Sequence, residues 1–109
     1  MEDYITIDEF KRIRLKTAKV MEAEKIPGSA RLLKLKIKVG DEERTLVAGI
    51  GHQYTPEEVV GLTLIIVANL KPRVIRGIES QGMMLAVVDE GNIIPLTTLK
   101  PAKDGLNVE

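Results

Sequence analysis

Leu33-Lys34-Leu35-Lys36-Ile37-Lys38-Val39 alternates apolar and cationic residues without a break, and Gly40-Asp41-Glu42-Glu43 and the stretch Arg44 to Ile50 follow it. Strict period-two alternation sends successive side chains to opposite faces of a pleated strand, so the apolar set faces a core and the lysines face out. The glycine and acids between the two runs predict a turn, and Arg44 to Ile50 pairs back as the second arm of a hairpin. Thr55-Pro56-Glu57-Glu58-Val59-Val60-Gly61 comes next. It offers an N-cap threonine, a proline at the first helical position, acids in the first turn and a glycine stop, which predicts one short helix.

The flanks fit around that hairpin and helix. Arg12 to Ile26 reads as a long first strand that ends where Pro27-Gly28 forces a turn. Ahead of it, Thr6-Ile7-Asp8-Glu9 forms a capping box, predicting a helix over Ile7 to Lys11 and a helical cap over residues 1–11. Leu62 to Ala68 has no polar face, as suits a strand buried on both sides, and Gly82 to Val88 is a further apolar run. Ile93 to Val108, interrupted by Pro95 and Pro101, reads as one or two irregular edge strands. Several short strands with a small helix between the third and fourth give an all-β chain. Their order is that of an OB-fold, a partly open five-stranded Greek-key barrel, here with short helices and C-terminal extension strands. An SH3-like barrel is the alternative, and the helix after the third strand favours the OB order.

The 109 residues suffice for one domain, 1–109, with 91–109 as its extension, and leave no room for a separate catalytic module. No stretch approaches the ~18 to 20 apolar residues that cross a bilayer, and Met1-Glu2-Asp3 has the wrong charge for an export signal, so no membrane partner and a cytoplasmic location are expected. The chain has no cysteine and a lone His52, which excludes disulfides, thiolate metal sites and a multi-histidine zinc site, and no metal or other cofactor is expected. No serine neighbours His52 in sequence, so no catalytic residue is expected. Gly49-x-Gly51 lacks the third glycine of a dinucleotide fingerprint and reads as a turn into the second helix.

The formal net charge is zero, but the charge is segregated. Residues 1–10 carry four acids and no base, residues 11–38 carry ten Lys or Arg against Glu22 and Glu24, and residues 41–60 carry five acids against Arg44. Lys71, Arg73 and Arg76 then stand against Glu79 in residues 61–80. Folding together, the two basic segments make one positive face. Outward lysines on a strand repeat every ~6.8 Å and can follow a sugar-phosphate backbone, although any solvated strand also carries lysine. The only aromatics are Tyr4, Phe10 and Tyr54, none inside a predicted binding strand. Stacking of unpaired bases is therefore disfavoured, and a cationic face reading the shape and phosphates of folded RNA is expected.

The stretch Ala68 to Met84 contains Asn69-Leu70-Lys71-Pro72-Arg73 and Ser80-Gln81-Gly82-Met83. These resemble the Asn-Leu-Lys-Pro-Arg and Ser-x-Gly-Met signatures of the tRNA-binding OB-fold domain family. That family occurs at the C-terminus of methionyl-tRNA synthetases, in free-standing tRNA-binding proteins and in synthetase cofactors. The resemblance runs from about Phe10 to the C-terminus. It implies non-catalytic tRNA binding, as a C-terminal domain or trans-acting subunit of methionyl-tRNA synthetase, with the synthetase catalytic chain as a partner. Asn69, Ser80 and Met83 fall on motif positions that the family uses toward RNA; the residues alone read equally as a turn cap at Ser80, a positive φ at Gly82 and a packed Met83. Where the family usually has His-Pro-Asn-Ala-Asp-Lys-Leu, this chain has Ile26 to Leu32, so only the proline, the leucine and the charge at Arg31 carry over. The candidate tRNA-binding set is Arg31, Lys34, Lys36, Asn69, Lys71, Arg73, Arg76, Ser80 and Met83. One branch of the family resembles an export chaperone, making peptide binding the alternative, and a purely structural assembly module is a second. Ile93, Ile94, Leu96, Leu99, Leu106 and Val108 on edge elements predict a homodimer; the tail folding over its own barrel is the other reading.

Overall fold

The computed structural model describes residues 3–109. Met1 and Glu2, part of the predicted 1–11 cap and of the acidic start that argues against an export signal, lie outside the described residues. No helix among the described residues is long and apolar enough to cross a membrane.

Helix α1 (Ile7–Phe10) is set by the predicted capping box: Glu9 N–H donates to Thr6 Oγ1 at 3.1 Å and Thr6 N–H donates to Glu9 Oε1 at 2.9 Å. None of its residues is buried. Strands β1 (Leu15–Lys25), β2 (Leu33–Val39) and β3 (Glu42–Ala48) form an antiparallel meander. The β2–β3 turn is shorter than expected. Val39 pairs with Glu42, leaving only Gly40 and Asp41 between the strands, and the positive φ of Gly40 (66°) is what a two-residue turn asks of glycine at that position. Helix α2 (Pro56–Val59) has its own capping box between Thr55 and Glu58, and it sends Val59 into the core.

Strand β4 (Thr63–Val67) pairs with the first half of β1, and β7 (Met83–Met84) pairs with β4, so the main sheet runs β3-β2-β1-β4-β7. Strand β1 shifts register between Val20 and Glu22, and this bulge lets one strand serve β4 at its start and β2 at its end. The curled sheet encloses Ala18, Val20, Leu33, Leu35, Ile37, Val39, Leu46, Ala48, Leu64 and Ile66, with Ile50 and Val59 closing one end. Fully burying a side chain such as Leu35 contributes about 1.5–3 kcal/mol. A curled, partly open barrel is thus the architecture found, as predicted.

Three features differ from the expectation. The segment after β4, where the sequence offers no strand pattern, holds a hairpin of β5 (Arg73–Ile75) and β6 (Ile78–Ser80). The apolar run 82–88 is not one strand. It breaks at Leu85, whose N–H goes to Ile65 O at 2.9 Å and whose carbonyl accepts from Leu96 N at 3.0 Å, and β8 (Ala86–Asp89) then pairs with β9 (Asn92–Pro95) in a separate hairpin. Finally, residues 103–108 fold back on their own barrel, where β10 (Asn107–Val108) pairs with β1.

Buried Thr17 anchors that tail. Its hydroxyl donates to Lys103 O at 2.7 Å and accepts from Leu106 N at 2.9 Å, while its backbone N–H and carbonyl bond Leu106 O at 2.9 Å and Gly105 N at 2.7 Å. Asp104 accepts from Gly40 N at 2.7 Å, which brings Gly105 against the β2–β3 turn. A Cβ on Gly105, at φ 77°, would stand 2.5 Å from Gly40 N. Gly105→Ala should therefore lower stability by about 3 kcal/mol or more, from overpacking added to a left-handed backbone. Gly91→Ala, at φ 86° with open space around it, should cost only about 1 kcal/mol. Urea unfolding of the two variants checks this, and equal losses would mean the tail does not seat so closely.

Candidate nucleic-acid interface

The β5–β6 hairpin projects the cations of the motif. Arg73 pairs with Ser80, Val74 with Glu79 and Ile75 with Ile78, leaving Arg76 and Gly77 as a two-residue turn. Both turn residues have positive φ, 54° and 78°, the signature of a type I′ turn. An arginine there is unusual, because asparagine, aspartate or glycine occupies such a backbone at lower cost. The Arg76 guanidinium reaches the β1–β2 loop, where a Cβ on Gly28 would lie 3.5 Å from its Nη1. That loop also carries exposed Arg31, with Ser29 Oγ accepting from the N–H of Arg31 at 3.3 Å and of Leu32 at 3.2 Å. Arg31, Lys71, Arg73 and Arg76 are exposed, and among the described residues no carboxylate pairs with any of them.

The lysine row is different. Lys34 lies 3.6 Å from Glu24, Lys36 lies 4.0 Å from Glu22 and Lys38 lies 3.9 Å from Asp104. The β1–β2 register sets the first two pairs, because it places Glu24 opposite Lys34 and Glu22 opposite Lys36. Exposed pairs of this kind are worth about 0–1 kcal/mol, so each lysine can trade its carboxylate for a phosphate. The field of the row is nevertheless cancelled locally.

Asn69 and Ser80 are committed to the protein backbone. Asn69 Oδ1 accepts from Arg14 N at 2.8 Å and its Nδ2 donates to Arg12 O at 2.7 Å, which clamps the chain before β1. Exposed Arg12 and Arg14 are thereby held at Asn69, two residues before Lys71, and add two cations that the sequence does not single out; their position in the basic 11–38 block is the only signal. Ser80 is 5% exposed, with its Oγ accepting from Val47 N at 3.0 Å and donating to Gly82 O at 3.4 Å. Gly82, at φ 132°, passes so close to β4 that a Cβ would meet Val67 O at 3.0 Å. The Ser-x-Gly part of the motif thus bridges β3 and β4. Met83 is half exposed beside it.

The family model described as "Putative tRNA binding domain" matches residues 15–107. The methionine–tRNA ligase of Caldanaerobacter subterraneus subsp. tengcongensis is 50% identical over 106 residues, which are 97% of this chain and 17% of that protein. The chain therefore spans about one-sixth of the length of that relative. The crystal structure of a MetRS-related protein from Pyrococcus horikoshii matches with a TM-score of 0.92 at 40% identity, covering 100% of both chains. Chaperone CsaA from Bacillus anthracis matches with a TM-score of 0.88 at 23% identity over 98% of this chain and 100% of that one, a likeness of fold. A curled, partly open barrel whose Asn69 and Ser80 signatures build the frame for a cationic hairpin with no carboxylate partner among the described residues, matched over nearly its whole length, makes this chain a member of the tRNA-binding domain family, which it shares with methionine–tRNA ligases.

Proposed function

We propose that the chain binds tRNA without catalysis, through phosphate contacts and overall shape, as the C-terminal domain or a trans-acting subunit of a cytoplasmic methionyl-tRNA synthetase. The observation that supports it most directly is that Arg31 on the β1–β2 loop, and Lys71, Arg73 and Arg76 in and just before the β5–β6 hairpin that reaches that loop, are exposed with no carboxylate partner among the described residues. Lys34 and Lys36 join by exchanging carboxylate for phosphate, Met83 offers an apolar contact, and Asn69 and Ser80 fix the backbone that carries the cations. Weak capture of this kind raises the local RNA concentration for a linked or docked enzyme.

Removing one cation from a phosphate should flatten the plot of log affinity against log salt by about 0.7–0.9. Arg73→Ala and Arg76→Asn should each do so, and Arg76→Asn should leave stability unchanged or raised, since asparagine suits the turn better. Lys34→Ala, whose charge Glu24 already balances, should change the slope less. Slopes equal to wild type in both arginine variants would remove the hairpin from the interface.

With no aromatic platform, folded tRNA should outcompete a single-stranded RNA of equal length and charge, and altering the anticodon should matter little. Competition gel shifts decide this, with an unfolded peptide as a further competitor. Preference for the unstructured strand would reject the shape reading, and salt-insensitive displacement by peptide would favour the chaperone alternative.

A homodimer is proposed as well. The β8–β9 hairpin and the following turn leave Val88 71%, Val87 50%, Ile94 46% and Leu99 99% exposed, apolar surface that symmetric pairing would cover. Light scattering should give about twice the 12.1 kDa chain mass. Val88→Glu should shift it toward monomer; deleting the tail is the poorer test, because residues 103–108 also brace Thr17. A wild-type monomer at micromolar concentration would reject the dimer and leave the tRNA proposal untouched.

A further inference from the structure

Arg44 has no part in the RNA contacts proposed above. It is the single base among the acids of residues 41–60, its side chain is only 18% exposed, and Glu42 Oε1 sits 3.0 Å from its Nη2. Those facts make it a poor phosphate ligand. Its Nη1, however, donates to Ala68 O at 2.6 Å and to Gln81 O at 3.5 Å. Ala68 immediately precedes Asn69 and Gln81 immediately follows Ser80, so one guanidinium spans both stems of the 69–80 excursion. The second stem is fastened to the same strand by Gln81 N to Thr45 O at 2.8 Å and by Thr45 N to Gln81 Oε1 at 3.0 Å.

The geometry points to Arg44 as a positioning residue for RNA binding: it staples the base of the cationic hairpin to β3 and so fixes where Lys71, Arg73 and Arg76 stand. This rests on the tRNA-binding reading. Nη1 serves both carbonyls while Nη2, held rigidly beside it, bonds Glu42; lysine keeps the charge but has one nitrogen on a differently shaped stem and cannot hold the two carbonyls and Glu42 in this arrangement.

The test is a double-mutant cycle on the full chain, read by tRNA affinity. Arg44→Lys should weaken binding about tenfold in the wild-type background, a coupling of the size found between residues that act through one another. In an Arg73→Ala/Arg76→Ala background it should cost less than about twofold, because the groups it positions are gone. Wild-type affinity in Arg44→Lys would overturn the proposal, as would an equal loss in both backgrounds. Should Arg44→Lys lose its cooperative melt, Gln81→Ala, which removes only the Thr45 bond, serves in its place, with a smaller loss that must also vanish in the double-alanine background. Hydrogen exchange separates this claim from the RNA reading. Amides of residues 73–80 should exchange about tenfold faster in Arg44→Lys than in wild type, with β1 and β2 amides unchanged. Unchanged protection of residues 73–80 would overturn the staple even if tRNA binds. Absence of salt-dependent tRNA binding by the wild type, with the exchange result as expected, would reject the RNA reading and leave the staple standing.

Discussion

The molecule depends on β1 making backbone bonds along both edges. One edge faces β4 from Leu15 to Lys19. The other faces β2 from Lys19 to Lys25 and is taken over by β10 at Leu15 and Lys16, where β2 has ended. Unpaired buried backbone groups cost a few kcal/mol each, so the gap between the two partners on that edge has to be filled. Thr17 lies in it, and the Gly105–Leu106 backbone fills it. The tail is therefore part of the barrel wall, although so little of its surface is buried.

Much of this was legible in the sequence wherever a short-range rule applied. The alternation from Leu33 to Val39, the capping boxes at Thr6 and Thr55 and the apolar block from Leu62 all specify elements through neighbours a few residues away. The Arg76–Gly77 hairpin escaped the same reading because its strands are three residues each and its turn carries arginine where asparagine is the usual sign. The split of the 82–88 run escaped it for another reason: hydrophobicity says that a segment is buried and not which sheet receives it.

The candidate site was legible as a composition and illegible as a circuit. Lys71, Arg73 and Arg76 could be chosen from charge alone. That Lys34 and Lys36 meet Glu24 and Glu22 follows from a register, and that Ser80 and Asn69 hold backbone follows from partners tens of residues distant. A chain of zero net charge can in this way keep a cationic patch, because ion pairing is concentrated on the β1–β2 face and absent, among the described residues, from the hairpin.

The pairing of Leu15 with Val108 also has a topological consequence. Phe10, Leu15, Val108 and Glu109 line one shallow hollow, so the segment that enters β1 meets the segment that leaves β10 on the surface. Neighbouring entry and exit points make the barrel a candidate for circular permutation. A short linker could join them, and new termini could open at the exposed Glu90–Gly91 turn with no strand of the main sheet interrupted. The order in which the strands are connected is then separable from the way they are packed, and the fold would tolerate being read from a different starting point.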